Sequence, residues 1–261
     1  MLRTRIITSI ISLTILFTTF LVAPAIVAKI TISILILIGA WEWSGFLDLK
    51  SKITRYWYVF LIAALMSYTY LYLHAYSTQI MQIACIWWSI AFIWIFLFPT
   101  VIPVIIRWIC GVLILLPLFV ALLELHILSL QSLLFALLIV WTADMGAYFA
   151  GKQFGSVKLA PSISPKKTWE GVFGGLFLVA ILAFAWTHYE DLNILVILPF
   201  CLAVGILSIV GDLTVSMFKR NAGVKDSGNL FPGHGGVLDR IDSCAAAVPL
   251  FALGIAELGL L

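Results

Sequence analysis

Long apolar runs, each bounded by a few polar residues, dominate this chain of 261 residues. A run of about 18 or more apolar residues is long enough for a helix to cross the hydrocarbon core of a bilayer. Only 10% of the residues are charged, against about 25% in an ordinary soluble domain. The pattern predicts an all-α polytopic membrane protein with nine transmembrane helices, at 6–23, 25–47, 57–75, 80–98, 108–125, 130–150, 172–187, 193–213 and 243–261.

The predicted spans are not separated by a linker or a low-complexity tract, so we expect a single integral membrane domain over residues 1–261. Charge is distributed unevenly within it. Of the 27 charged side chains (15 basic and 12 acidic), sixteen lie between Asp144 and Asp242. We therefore expect 1–130 to be mainly scaffold and 131–261 to contain the functional spans and loops.

The basic residues predict the orientation of the chain, because Lys and Arg near span ends are retained on the cytoplasmic side. With the N-terminus in the cytoplasm, 14 of the 15 basic residues fall inside and only Lys29 falls outside, together with the acidic pair Glu190 and Asp191. We predict a cytoplasmic N-terminus and an external C-terminus. A cleaved secretory signal that begins with Arg3 and Arg5 is an alternative for the first span, but the apolar run continues past it.

Asp144 is a charge inside an apolar span. An ionised aspartate at the centre of a membrane helix costs at least about 2.5–3.5 kcal/mol, so we expect Asp144 to face a polar cavity, a cation or a base. An ion pair with a neighbouring helix is the simpler alternative. Gly146, Gly151 and Gly155 follow it, and they permit either close helix packing or the approach of the backbone to a ligand.

A second polar segment, 164–171, is predicted to be a cytoplasmic loop. Lys166 and Lys167 stand beside Thr168 and ahead of a predicted helix, an arrangement that suits an anion near a helix N-terminus. Lysines that flank a span are also common as topology signals or as contacts to anionic lipid headgroups, and this alternative stays open.

The densest polar segment is 216–242. Asp239 and Asp242 are three residues apart, so on a helix they share one face and repel each other unless a cation lies between them. Asp212 is a further carboxylate that could join them. Oxygen ligands without Cys or paired His favour Mg²⁺ over zinc. His234 lies between glycines, where we expect a substrate contact or a turn rather than a metal ligand.

The charge balance favours a polyphosphate ligand. On the cytoplasmic side, the region that starts at Asp144 has eight bases and six acids, a net charge of +2. One or two divalent ions would raise this to about +4 to +6. A nucleoside triphosphate plus a phosphate monoester has about six negative charges, which this would nearly balance. Phosphoryl chemistry therefore fits better than transport of a neutral solute.

The 216–242 segment reads Ser-x-Phe-Lys-Arg, four residues, Lys-Asp-x-Gly, two residues, then Phe-Pro-x-His-Gly-Gly-x-x-Asp-Arg-x-Asp. This motif resembles the signature of phosphatidate cytidylyltransferases, also called CDP-diacylglycerol synthases. The segment at Asp144, the loop at 164–171 and Trp41-Glu42-Trp43 are similar to that family too. The resemblance implies transfer of CMP from CTP to phosphatidate by a polytopic, Mg²⁺-dependent and dimeric enzyme.

The resemblance and the residues together predict the following site. The metal ligands, for one or two Mg²⁺ or other divalent ions with room for a monovalent ion, are Asp144, Asp212, Asp239 and Asp242. The catalytic residues are Asp212, Lys219, Arg220, Lys225, Asp226 and Arg240. The substrate-binding residues are Ser216, Lys166, Lys167, Thr168, His234, Gly235 and Gly236. For Glu42 a helix interface is favoured over a role in the site.

The expected partners are CTP, phosphatidate, membrane lipids and a second copy of the chain, and no nucleic acid. The expected location is the bacterial inner membrane, with the active site facing the cytoplasm. A cation-coupled membrane transporter that uses the buried carboxylates is the main alternative. A related nucleotidyl or phosphoryl transferase that acts on another lipid is a second one.

Overall fold

The computed structural model describes residues 14, 17–48, 51–230 and 235–258. A short 3-10 helix, Ser44–Phe46, follows the first long helix. Besides it and the helical residues 17–21, the described part contains eight α-helices and one hairpin of two short strands. In chain order they are α1 Ala25–Trp43, α2 Lys52–Leu71, α3 Leu73–Leu97, α4 Val104–Leu128, α5 Leu130–Phe154, β1 Lys158–Ala160, β2 Ser164–Thr168, α6 Trp169–Glu190, α7 Ile194–Asn221 and α8 Leu238–Leu258.

Seven of the described helices, α1 and α3 to α8, are long and apolar enough to cross a membrane. The predicted class, an all-α polytopic membrane protein, is confirmed by them. α2 covers most of the predicted span 57–75 and has 20 residues, but Lys52, Arg55 and several tyrosines leave it outside this group. The predicted span 6–23 falls largely outside the described residues, so nine spans stay a prediction.

One face of α6 is apolar and uncovered by the rest of the chain. Phe173, Phe177, Ile181 and Phe184 follow one another at helical spacing and are 51–68% exposed. Continuous apolar surface of this kind is unusual on a protein that is surrounded by water. In a bilayer these side chains face acyl chains, which agrees with an integral membrane protein.

α8 is the central helix of the bundle. It packs against α7, α4, α3, α5 and α1. In its most apolar stretch 61% of the residues are buried, compared with 28% in α6. Because α8 begins at Leu238, its central position brings Asp239 and Asp242 among the ends of the neighbouring helices.

α5 and α6 are antiparallel and approach until their backbones touch. A Cβ added at Gly146 would lie 2.7 Å from the carbonyl oxygen of Gly174, and one added at Gly175 would lie 2.6 Å from the carbonyl oxygen of Ala143. Small residues at such a crossing allow close van der Waals packing of membrane helices. Of the two roles left open for Gly146, close helix packing is the one that the structure shows.

The polar segments contain more regular structure than predicted. Residues 164–171, predicted to be a loop, form β2, which pairs antiparallel with β1, and the first turn of α6. α7 continues to Asn221 instead of ending at 213, and α8 begins at Leu238 instead of 243. The helices extend into charged sequence because these charges find partners in neighbouring elements, which hydropathy does not register.

Candidate active site

The site is built where four helices and the hairpin meet at one end of the bundle. The contributing parts are the C-terminal half of α5, the β1–β2 hairpin with the start of α6, the C-terminal end of α7 and the N-terminal end of α8. Two lysine–aspartate ion pairs join these parts. They link residues that lie 45 and 20 positions apart in the chain, Lys167 with Asp212 and Lys219 with Asp239.

The first pair connects the hairpin to α7. Lys167 Nζ lies 2.6 Å from Asp212 Oδ2, and Ser216, one turn further along α7, donates its hydroxyl to Asp212 Oδ1 at 3.1 Å. Burial by itself would lower the pKa of the Lys167 ammonium, but the Asp212 carboxylate outweighs it and raises that pKa above its usual value. Lys167 is therefore a fixed positive charge at physiological pH.

The second pair connects α7 to α8. Lys219 Nζ lies 2.7 Å from Asp239 Oδ1 and 4.0 Å from Asp242 Oδ2. The Lys219 and Asp239 side chains are each only 8% exposed. The other oxygen of Asp239 accepts the backbone N–H groups of Ser227 and Gly236, both at 2.9 Å. Asp239 is thus bound through both oxygens, as a buried charged pair requires.

Three carboxylates come from three helices, and Asp212 on α7 interacts electrostatically with both of the others, Asp144 on α5 and Asp242 on α8. Asp242 is buried, and its Oδ1 accepts the N–H of Ser243. Hard oxygen donors of this type suit Mg²⁺. Within 17–48, 51–230 and 235–258, however, no three Asp, Glu, His or Cys side chains are arranged around one ion position. The metal centre therefore stays a prediction.

The hairpin that carries Lys167 is attached at both ends. At its base, Glu170 accepts the hydroxyl of Ser156 at 2.6 Å and the N–H of Val157 at 3.1 Å. At its tip, Arg220 Nε donates to the carbonyl oxygen of Ile163 at 3.0 Å. These contacts hold Lys167 against Asp212.

Glu42, for which the sequence favours a helix interface, joins the end of α1 to the start of α8 beside this site. It is 5% exposed, and its carboxylate accepts the Ser227 hydroxyl and the N–H groups of Val237 and Leu238. The available signal was the one that drew attention to Asp144, an acid inside an apolar span. The sequence offers no clue that its partners lie nearly 200 residues away.

The model of the cytidylyltransferase family matches residues 3–256. A Pseudomonas aeruginosa protein named phosphatidate cytidylyltransferase is 40% identical over 261 residues, covering 97% of this chain and 96% of its own length. A Haemophilus influenzae protein of that name is 36% identical over 285 residues, covering 97% and 98%. One from Staphylococcus aureus is 48% identical over 124 residues, or 47% of this chain and 48% of its own length.

The chain belongs to the cytidylyltransferase family. The family that the 216–242 motif predicts is thereby confirmed. In this cytidylyltransferase the structure brings together one set of predicted site residues, which consists of Lys167, Asp212, Ser216, Lys219, Asp239 and Asp242. Asp144 interacts electrostatically with two members of this set, Lys167 and Asp212, and more weakly with the exposed Arg240.

Other predicted residues of this cytidylyltransferase have structural contacts. Thr168 accepts the N–H of Gly171 and caps α6, whereas Arg220 holds the hairpin tip. Gly236 donates to Asp239, and Gly235 has a left-handed backbone, with φ +83°. The exposed residues are Lys166, Lys225 and Asp226, and His234 lies outside the described residues. Substrate contacts by all of these stay predictions.

Proposed function

We propose that this chain transfers CMP from CTP to phosphatidate, giving CDP-diacylglycerol and pyrophosphate. The observation that carries the proposal is the full-length similarity to two proteins named phosphatidate cytidylyltransferase. The paired lysines and carboxylates at one end of an apolar bundle support it, because the reaction joins a water-soluble anion to a lipid anion.

The reaction needs little acid–base chemistry from the protein. A phosphate oxygen of phosphatidate attacks the α-phosphorus of CTP, the bond to the β-phosphate oxygen breaks, and pyrophosphate leaves. Since the attacking oxygen is already anionic at neutral pH, no general base is required. Repulsion between the two anions is the main barrier, and positive groups that hold the reactants in line lower it.

The residues divide these tasks. Lys167 and Lys219 are fixed by their aspartates and supply positive charge, and we assign Arg220, Lys225 and Arg240 to the phosphates. Asp144, Asp212 and Asp242, with Asp239 beside them, would hold one or two Mg²⁺ ions. When bound, such an ion neutralises phosphate charge and stabilises the leaving group.

The proposed topology has nine spans, a cytoplasmic N-terminus and an external C-terminus, in a bacterial inner membrane. Arg220, Lys167 and Lys219 support it, because the positive-inside rule places this end of the bundle in the cytoplasm. CTP would then arrive from the cytoplasm while the acyl chains of phosphatidate stay in the bilayer. We further propose a homodimer, on the resemblance to the family alone.

The test is CMP transfer by the purified full-length protein in detergent. With CTP, phosphatidate and Mg²⁺ we expect pyrophosphate release that depends on the lipid and stops with EDTA. Diacylglycerol, which lacks the attacking phosphate, is the matched control and should give none. Folded, monodisperse protein that releases no lipid-dependent pyrophosphate would contradict the proposal, whereas activity that survives EDTA would contradict only the metal.

A further inference from the structure

The Glu42 carboxylate binds three donors that all belong to the segment leading into α8. Oε2 accepts the hydroxyl of Ser227 and the N–H of Leu238, both at 2.8 Å, and Oε1 accepts the N–H of Val237 at 3.0 Å. Two of these donors are N–H groups at the start of a helix that have no acceptor within the helix, and a negative charge is stabilising there. A residue of α1 thereby caps the N-terminal end of α8.

We propose that Glu42 is a positioning residue for the transfer reaction: it fixes the start of α8 and, through it, the Asp239 and Asp242 carboxylates. This inference rests on the proposed function. Glu42 itself is placed in contact with neither substrate, because its oxygens are occupied by the chain.

Glu42 and Asp239 hold the same two stretches of backbone. At Ser227 the hydroxyl goes to Glu42 and the N–H goes to Asp239. At the other stretch Gly236 donates to Asp239, and Val237 and Leu238 donate to Glu42. Glu42 thus fixes the two backbone stretches whose N–H groups orient Asp239. The remaining oxygen of Asp239 accepts from Lys219.

The Glu42 carboxylate leaves no room for a side chain at two neighbouring glycines. A Cβ added at Gly228 would lie 2.5 Å from Glu42 Oε1, and one added at Gly236 would lie 2.3 Å from Oε2. By contrast, a Cβ added at Gly223 in the same connection meets no atom within 4 Å. The backbone thus approaches closely at Gly228 and Gly236 because the Glu42 carboxylate lies against it there.

Glutamine cannot replace Glu42 in these contacts. A carboxylate accepts through both oxygens, but an amide has one accepting oxygen and an NH₂ group that would face a backbone N–H. Removing one acceptor leaves a buried donor without a partner. Glu42→Gln therefore perturbs the start of α8 with almost no change in side-chain volume.

The first arm of the test measures steady-state transfer by full-length Glu42→Gln in detergent, normalised to folded protein. We expect kcat to fall about 10–100-fold, as for other residues that orient site ligands. KM for CTP and phosphatidate should change less than about threefold, because the substrates do not contact Glu42. Glu42→Asp keeps the charge and should recover part of kcat. Wild-type kcat, or a loss fully explained by less folded protein, would overturn the proposal.

Glu124→Gln is the matched control. Glu124 is another partly buried glutamate, on α4, and it accepts the Ser77 hydroxyl at 3.3 Å. It lies about 25 Å along α4 from Arg107, the α4 residue whose carbonyl bonds Trp43. We expect its kcat to equal the wild type, and an equal loss in both variants would overturn a specific role for Glu42.

The second arm does not depend on activity. Hydrogen exchange at Val237 and Leu238 should be faster in Glu42→Gln than in the wild type, with exchange in α5 unchanged. Unchanged exchange at both amides would overturn the proposal whether or not the protein transfers CMP. Failure of this inference can therefore be told apart from failure of the proposed function. If Glu42→Gln does not fold, Ser227→Ala removes one bond only, and we expect an approximately 3–10-fold lower kcat; wild-type kcat there would overturn it.

Discussion

Asp239 divides its two carboxylate oxygens between different partners. One oxygen holds the Lys219 ammonium, and the other accepts two backbone N–H groups. Because the pair is buried, the two charges depend on each other for stability as well as for function. Removing one of them leaves the other in a poorly solvated position.

This dependence predicts that removing the second charge of the pair restores stability but not activity. Asp239→Asn should lower the free energy of unfolding by about 3–5 kcal/mol, because the Lys219 charge loses its partner. In the double variant Lys219→Met/Asp239→Asn the melting temperature in detergent should recover much of this loss, whereas CMP transfer should stay abolished.

Lys166→Ala is the control for that pair, since Lys166 is an exposed base on the same hairpin as Lys167. It should lose less activity than Asp239→Asn and keep the wild-type melting temperature. A single Asp239→Asn variant as stable as the wild type would show that the pair is not a buried charge pair. A larger activity loss in Lys166→Ala than in Asp239→Asn would contradict the greater importance that we assign to the buried pair.

Among the elements, the α5–α6 crossing determines where the hairpin stands, since α6 follows the hairpin directly. The helices touch at Gly146 and Gly175, where neither has room for a methyl group. Asp144 lies on α5 beside this crossing, and Lys167 lies two residues before the start of α6. The spacing of the two helices therefore sets the separation of these two charges.

Gly175→Ala tests this crossing. The added Cβ would lie 2.6 Å from a backbone oxygen, so the helices must separate, and we expect a loss of about 1–3 kcal/mol in the free energy of unfolding. Gly205→Ala on α7 is the control, because its Cβ would meet only side-chain atoms, the nearest being Leu176 Cδ2 at 3.3 Å. Equal melting temperatures for both variants would contradict close backbone packing at Gly175.

At the same scale, the sequence predicted helices well and their ends poorly. Eight of the nine predicted apolar runs correspond to described helices, seven of them long and apolar enough to cross a membrane, because an apolar run of that length has few other stable structures in a bilayer. The extension of α7 to Asn221 depends on contacts of Lys219 and Arg220 with α8 and the hairpin. Such contacts are set by the tertiary structure and cannot be read from local hydropathy.

The candidate site was predictable as a set of residue types but not as a set of pairs. Asp212 stands out as a charge in apolar sequence, and Lys219 and Asp239 stand out in the densest polar segment. Nothing in their spacing tells which lysine meets which aspartate. The partners of Glu42, for which a helix interface is favoured from sequence, could not be predicted for the same reason, since its donors come from the far end of the chain.

For the whole molecule, the orientation in the membrane can be measured directly. In a background without native cysteines, Lys166→Cys and Asp191→Cys lie at opposite ends of α6 and are both exposed. An impermeant maleimide added to intact spheroplasts should label Asp191→Cys only, and Lys166→Cys should react only after permeabilisation. Labelling of Lys166→Cys from outside would reverse the proposed topology.

The length of α7 has a consequence for depth. Its 28 residues extend about 42 Å, longer than a hydrocarbon core of about 30 Å. Counted from Ile194 at one interface, Asp212 lies about 27 Å along the axis and Lys219 about 37 Å. In the proposed topology the two lysine–aspartate pairs would lie one above the other in the headgroup layer, Lys167–Asp212 at its inner edge and Lys219–Asp239 near the water. A lipid phosphate, anchored by its tails, would then lie at that same depth and would reach the pairs without leaving its leaflet.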